Sequence, residues 1–154
     1  MQKILLLIFF MSCSASFHAQ TTDLRKMKSQ QRKEYLMKLA KEVVMNFGPD
    51  YYRDYKEPEI SKKQVFEDDS EGIPEVMRNA GRPYYTVTLF YDREKEQLAE
   101  KFAAAIDIWA DDGEPMRVLF GNGMGINFFF NPYREWTKAG VKDSEKMHFQ
   151  TFSF

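Results

Sequence analysis

The apolar residues in the stretch 23–46 recur at a single spacing, and that spacing narrows the architectures open to this chain. Leu36, Leu39, Ala40, Val43, Val44 and Phe47 follow i, i+3, i+4, i+7, i+8 and i+11, which puts them on one side of a long α-helix. Lys33, Lys38 and Lys41 fall largely outside that stripe. Thr21 or Thr22 is placed to cap the helix, with Asp23 in its first turn, and Gly48-Pro49 stops it. The first turns, 24–31, are more polar and read as a frayed arm. A helix with one apolar face must bury that face against another layer, so the fold class depends on which elements the rest of the chain supplies.

Those elements are strands. Tyr85, Val87, Leu89 and Tyr91 alternate with Tyr84, Thr86, Thr88 and Phe90, the period of a half-buried strand rich in β-branched and aromatic residues. The stretch 102–110 reads as a second strand, with Ala104, Ile106, Ile108 and Ala110 on one face. Asp111-Asp112-Gly113-Glu114-Pro115 is a turn, and 116–120 runs back as the partner strand. The stretch 60–66 predicts a further strand, 67–72 an acidic loop, and 73–80 a short helical turn. The charged stretch 92–100 is either a long connection or a short helix. The expected fold class is α+β, one long N-terminal helix packed on an antiparallel β-sheet of about four to five strands.

The chain opens with Lys3, an apolar run over 4–11, and the small and polar residues Ser12 to Ser16. This is the design of a secretory signal peptide, and the run is shorter than the roughly 20 residues that cross a bilayer. We expect 1–19 to be the signal peptide, cut after Ala19 or near Ser16, and 20–154 to form a single α+β domain without a transmembrane span. The expected destination is therefore outside the cytoplasm: periplasm, cell surface or extracellular space. Cys13 offers an alternative, as a lipid-acceptor cysteine. It is the only cysteine, so a cut after Ala19 would leave no disulfide or thiolate metal site. The formal net charge of −1 gives no general pull toward nucleic acid.

Three alternate glycines in "FGNGMGINFFF" raise the question of a phosphate cradle. Gly121 and Gly123 begin a dinucleotide pattern, but position 126 is Ile, no helix start comes after it, and no P-loop lysine is present. The glycines suit a turn or bulge between strands, requiring positive φ. Catalytic groups are few. His148 would be the only histidine after signal removal, and no nucleophile elbow accompanies it. A hydrolase would have to be built from Asp107, Asp112, Glu114 and His148. The C-terminal Phe152-Ser153-Phe154 reads as a final strand or docked tail.

The order of "LMKLAKEVV", "GRPYYTVTLFYD" and "AAAIDIWADDGEPMRVLF" resembles PepSY-like domains, on Gly81, Pro83, Tyr84 and Tyr85 at the strand start and Asp107, Asp112, Gly113 and Glu114 at the hairpin. The connection 93–101 is longer than in that family, the region 61–83 is enlarged, and the aromatic stretch from Gly121 has no counterpart. The resemblance implies a cystatin-like helix-on-sheet layout and a non-catalytic role, such as restraining a peptidase or binding an envelope protein, with no cofactor. The residues themselves leave a second class open, a glycan or small-ligand binder stacking its ligand on Tyr84, Trp109, Tyr133 or Trp136.

Overall fold

A computed structural model describes residues 22–67, 72–130 and 132–139. The expected signal peptide, the centre of the acidic loop, His148 and the C-terminal aromatic residues lie outside them. The fold is α+β. Helix α1 spans Ser29–Phe47, and short strands β1 (Glu59–Ile60) and β2 (Gln64–Val65) come next. The four-residue helix α2 (Pro74–Met77) precedes β3 (Pro83–Leu89), β4 (Ala104–Trp109), β5 (Pro115–Phe120) and β6 (Gly125–Asn127), and α3 is Tyr133–Ala139. The strands form one antiparallel sheet in the order β1-β3-β4-β5-β6, with β2 also pairing β3.

The apolar stripe of α1 does what its spacing dictates. Leu36, Ala40, Val43 and Val44 are buried against Val87, Leu89, Ala104, Ile106, Ile108 and Val118 from β3, β4 and β5. Gly48 ends the helix in extended backbone, its N–H donating to the Val44 carbonyl at 2.8 Å. A Cβ at this glycine would stand 2.5 Å from the Phe120 ring, so close packing is what calls for glycine here.

Two expectations are corrected. The stretch before α1 is neither helix nor frayed arm. Asp23 caps a 3-10 turn over Leu24–Lys26 by accepting from the Arg25 N–H, and α1 starts at Ser29 with no side-chain cap. Thr22 N–H donates to the Asp112 carbonyl at 2.8 Å and Leu24 N–H to the Ala110 carbonyl at 2.9 Å, which stitches this segment to the β4–β5 turn and fully buries Leu24. The strand expected over 60–66 is split. Ser61 interrupts it, its Oγ accepting the Thr86 N–H at 2.9 Å, and the two halves pair with opposite ends of β3.

Candidate functional site

Strand alternation sends one set of β3–β5 side chains into the core and the other to the opposite face. Register then decides which of the second set meet: Tyr84 lies opposite Trp109, Thr86 opposite Asp107, Thr88 opposite Ala105, and Asp107 in turn opposite Arg117. Asp107 is the only charged or polar residue that is buried among those described, at 5% exposure. A buried carboxylate has to be paired and hydrogen-bonded. Here Oδ1 accepts from the Thr86 hydroxyl at 2.6 Å and Oδ2 accepts from Arg117 Nε. Gln64 extends the chain, donating through Nε2 to Thr86 Oγ1 and to Ser61 Oγ, both at 3.1 Å, while Oε1 accepts from the Tyr84 hydroxyl at 3.3 Å. Burial, then the charge of Asp107, raises the Tyr84 hydroxyl pKa.

This ladder floors a groove of about 390 Å³, within the range of ligand sites. Gln64, Tyr84 and Thr86 form one wall, Arg117 and Asn127 line the other, and Phe102 and Leu119 supply apolar surface. Among the described residues, none from a helix lines it. The Arg117 side chain is 44% exposed.

The aromatic set expected from the sequence is divided. Tyr84 reaches the groove. Trp109 is only 4% exposed, with the Arg82 guanidinium 4.1 Å over its ring and the rings of Phe66, Tyr84 and Phe129 around it. Tyr133 is 6% exposed and anchors α3 to α1: its hydroxyl donates to Glu42 Oε1 at 3.0 Å and accepts from Asn46 Nδ2 at 3.2 Å, and its ring meets Phe47 and Phe128. Burial, then Glu42, pushes its pKa well above the ordinary tyrosine value. Neither Trp109 nor Tyr133 offers the open ring face that stacking on a sugar needs, because both were recruited to packing. Trp136 lies on α3, with its side chain outside the described atoms.

The carboxylates expected for hydrolysis are divided between two places, Asp107 in the groove and Asp112 with Glu114 in a second cavity. Asp107 faces the groove, Asp112 accepts from Arg82 at 2.7 Å, and Glu114 accepts from Arg134. Among the described residues no group of three or more His, Cys, Asp or Glu could hold a metal ion. Trp109, Tyr133, Arg82, Asp112 and Glu114 share a second cavity of about 220 Å³. Glu114 Oε2 is buried there with no hydrogen-bond partner among the described residues. Burial raises the Glu114 pKa, opposed by Arg134 and reinforced by Asp112.

That shift gives a testable pH dependence. A carboxyl with a raised folded pKa contributes stability that is fully present below its ordinary value and is lost as pH rises through the folded value. Glu114→Gln does not titrate. Its stability relative to the native protein should therefore increase as pH is raised from about 4 toward 7. Urea unfolding of both proteins across this window measures the difference, from which carboxylates remote from Glu114 cancel. A difference that stays flat or shrinks with pH contradicts the assignment.

The residues that sequence reasoning missed are Gln64, Thr86, Arg117 and Asn127. A signal was present for Asp107, a charge inside the apolar run "AAAIDIWA". Comparison with protein-family models, curated proteins and solved structures finds no match to this chain.

Proposed function

We propose that this protein is an exported, non-catalytic binding module that takes a peptide segment of an envelope protein into the groove on the open face of its sheet. The observation that carries this reading is the two-sided lining. Phe102 and Leu119 present apolar surface, while Gln64, Thr86, Arg117 and Asn127 present fixed polar groups a few residues away. A peptide offers the same mixture, apolar side chains beside backbone amides that need partners when desolvated. Both oxygens of Asp107 already accept hydrogen bonds, which suits a group that holds its neighbours in place. The resemblance to PepSY-like domains implies the same kind of role, with a peptidase as one class of partner.

Panning a displayed peptide library on the full chain tests the proposal, together with affinity measurement on an Ala105→Arg variant. Ala105 lines the groove from β4, so a long side chain there fills it. Selected peptides should bind the variant at least about tenfold more weakly, a loss of about 1.4 kcal/mol or more, with the circular dichroism spectrum unchanged. Peptides whose affinity ignores the substitution would place recognition elsewhere. Groove-dependent binding of a glycan panel, with no peptide enriched, would transfer the site to the other ligand class.

A further inference from the structure

We infer that the groove reads the C-terminal carboxylate of its peptide, through Arg117 and Asn127. The inference rests on the peptide-binding reading and adds the chemistry of the recognised end. It begins with the hydrogen-bonding capacity that remains on these two side chains. Arg117 gives Nε to Asp107, and none of the described residues accepts a hydrogen bond from its Nη1 or Nη2. Asn127 lies directly opposite Arg117 in the β5–β6 pairing. Its Oδ1 accepts from the Phe129 N–H at 2.8 Å, which fixes the amide orientation and leaves Nδ2 as a donor with no acceptor among the described residues. Nη1 and Nη2 of Arg117 and Nδ2 of Asn127 thus form a cluster of donors at one end of the groove.

Asp107 fixes the direction of those donors. Its carboxylate is buried and held by Thr86, so the guanidinium it engages through Nε keeps its other end, Nη1 and Nη2, for a second partner. A carboxylate matches that fork in a bidentate arrangement, and charge assistance makes the bonds stronger than those of a neutral amide. Asp107 already offsets the Arg117 charge, so each further negative charge on the ligand is penalised and a monoanion is tolerated better than a doubly charged group. The apolar requirement sits one step along the same strand. Leu119 is two residues from Arg117 on the same face of β5, about 7 Å away. Its neighbours across the sheet are Ala105 and Gly125, which leave a trough beside it. One residue carrying both a carboxylate and an aliphatic side chain spans that distance, and in a peptide of apolar sequence it is the last one.

The test compares three tetrapeptides on the full chain: one ending in leucine with a free carboxylate, its C-terminal amide, and that amide with one internal residue replaced by glutamate. Affinity is measured by nuclear magnetic resonance titration, monitoring the Arg117 Nε–H and Asn127 side-chain amide signals. The free acid should bind about tenfold or more tighter than the amide and shift both signals. Arg117→Gln should erase the acid–amide difference, and Arg117→Lys should keep part of it. The comparison on the native protein stands even if the glutamine variant fails to fold. Equal affinity for acid and amide overturns the inference, and so does a glutamate peptide that matches the acid, or shifts confined to residues outside the groove. If none of the three binds while library-selected peptides still do, the carboxylate inference falls and the peptide-binding reading stands; loss of all groove-dependent peptide binding removes both.

Discussion

Replacing Leu24 with alanine should lower the unfolding free energy by about 2–5 kcal/mol, the range for truncating a fully buried leucine in a core that relaxes only partly. Leu24 has no exposed surface and belongs to the main core with Leu36, Val43 and Ile108. Its backbone is held as well, by the bond to Ala110 and by the Arg32 guanidinium, which lies near the Leu24 and Met27 carbonyls. The sequence reading of this stretch as a polar, frayed arm expects almost no effect, so the measurement separates the two descriptions. Lys28→Ala, at an exposed position four residues on, serves as the control and should stay within about 0.5 kcal/mol. Urea unfolding with an unchanged m-value would locate the loss in the folded state. A change for Leu24→Ala as small as that of the control would mean that the segment is not part of the core.

Gly121→Ala should be the most damaging substitution in the glycine loop, at about 1–3 kcal/mol. Its backbone is locked on both sides, the N–H donating to the Ala103 carbonyl and the carbonyl accepting from Glu100 N–H, each at 2.8 Å. An added Cβ would stand 2.6 Å from the Phe102 carbonyl oxygen and collide with the Leu98 side chain. Backbone cannot yield there without breaking those bonds. Gly123 is different: it has φ of +84° and open space around it, so alanine there meets only the conformational cost of about 1 kcal/mol. Thermal melting of the two variants should rank them in that order, with millimolar ATP or NAD changing neither melting point. Nucleotide-dependent stabilisation of the native protein, lost in variants that melt normally without ligand, would reinstate a phosphate cradle.

The groove and the core under α1 occupy opposite faces of the sheet. Ala105, Arg117 and Asn127 lie on the face of the sheet away from α1, whereas Leu24 and the residues it touches lie on the face that α1 covers. Ala105→Arg should leave the helix-on-sheet core in place, whereas Arg117→Gln removes the cation paired with buried Asp107 and should melt lower; melting curves measure both before any binding result is interpreted.

The local periods were readable from the chain alone. The i, i+3, i+4 spacing of Leu36 to Phe47 determines a helix with one buried face, and the alternation from Tyr84 to Leu89 determines a strand with one buried face. Asp111 to Pro115 determines a turn between two antiparallel strands, and together these make the α+β class unavoidable. What only the tertiary structure decided involves partners far apart in sequence. Leu24 is buried because the Ala110 and Asp112 carbonyls accept hydrogen bonds from its segment, and no local pattern encodes that. Helix α3 is pinned by Tyr133 to Glu42 and Asn46, some ninety residues earlier in the chain. Tyr133 and Trp109, read as ligand platforms, were drawn into packing by that same long-range assembly. Gln64, Thr86, Asp107 and Arg117 form a groove only because strand register sets them side by side, and a shift of one residue would send each to the other face.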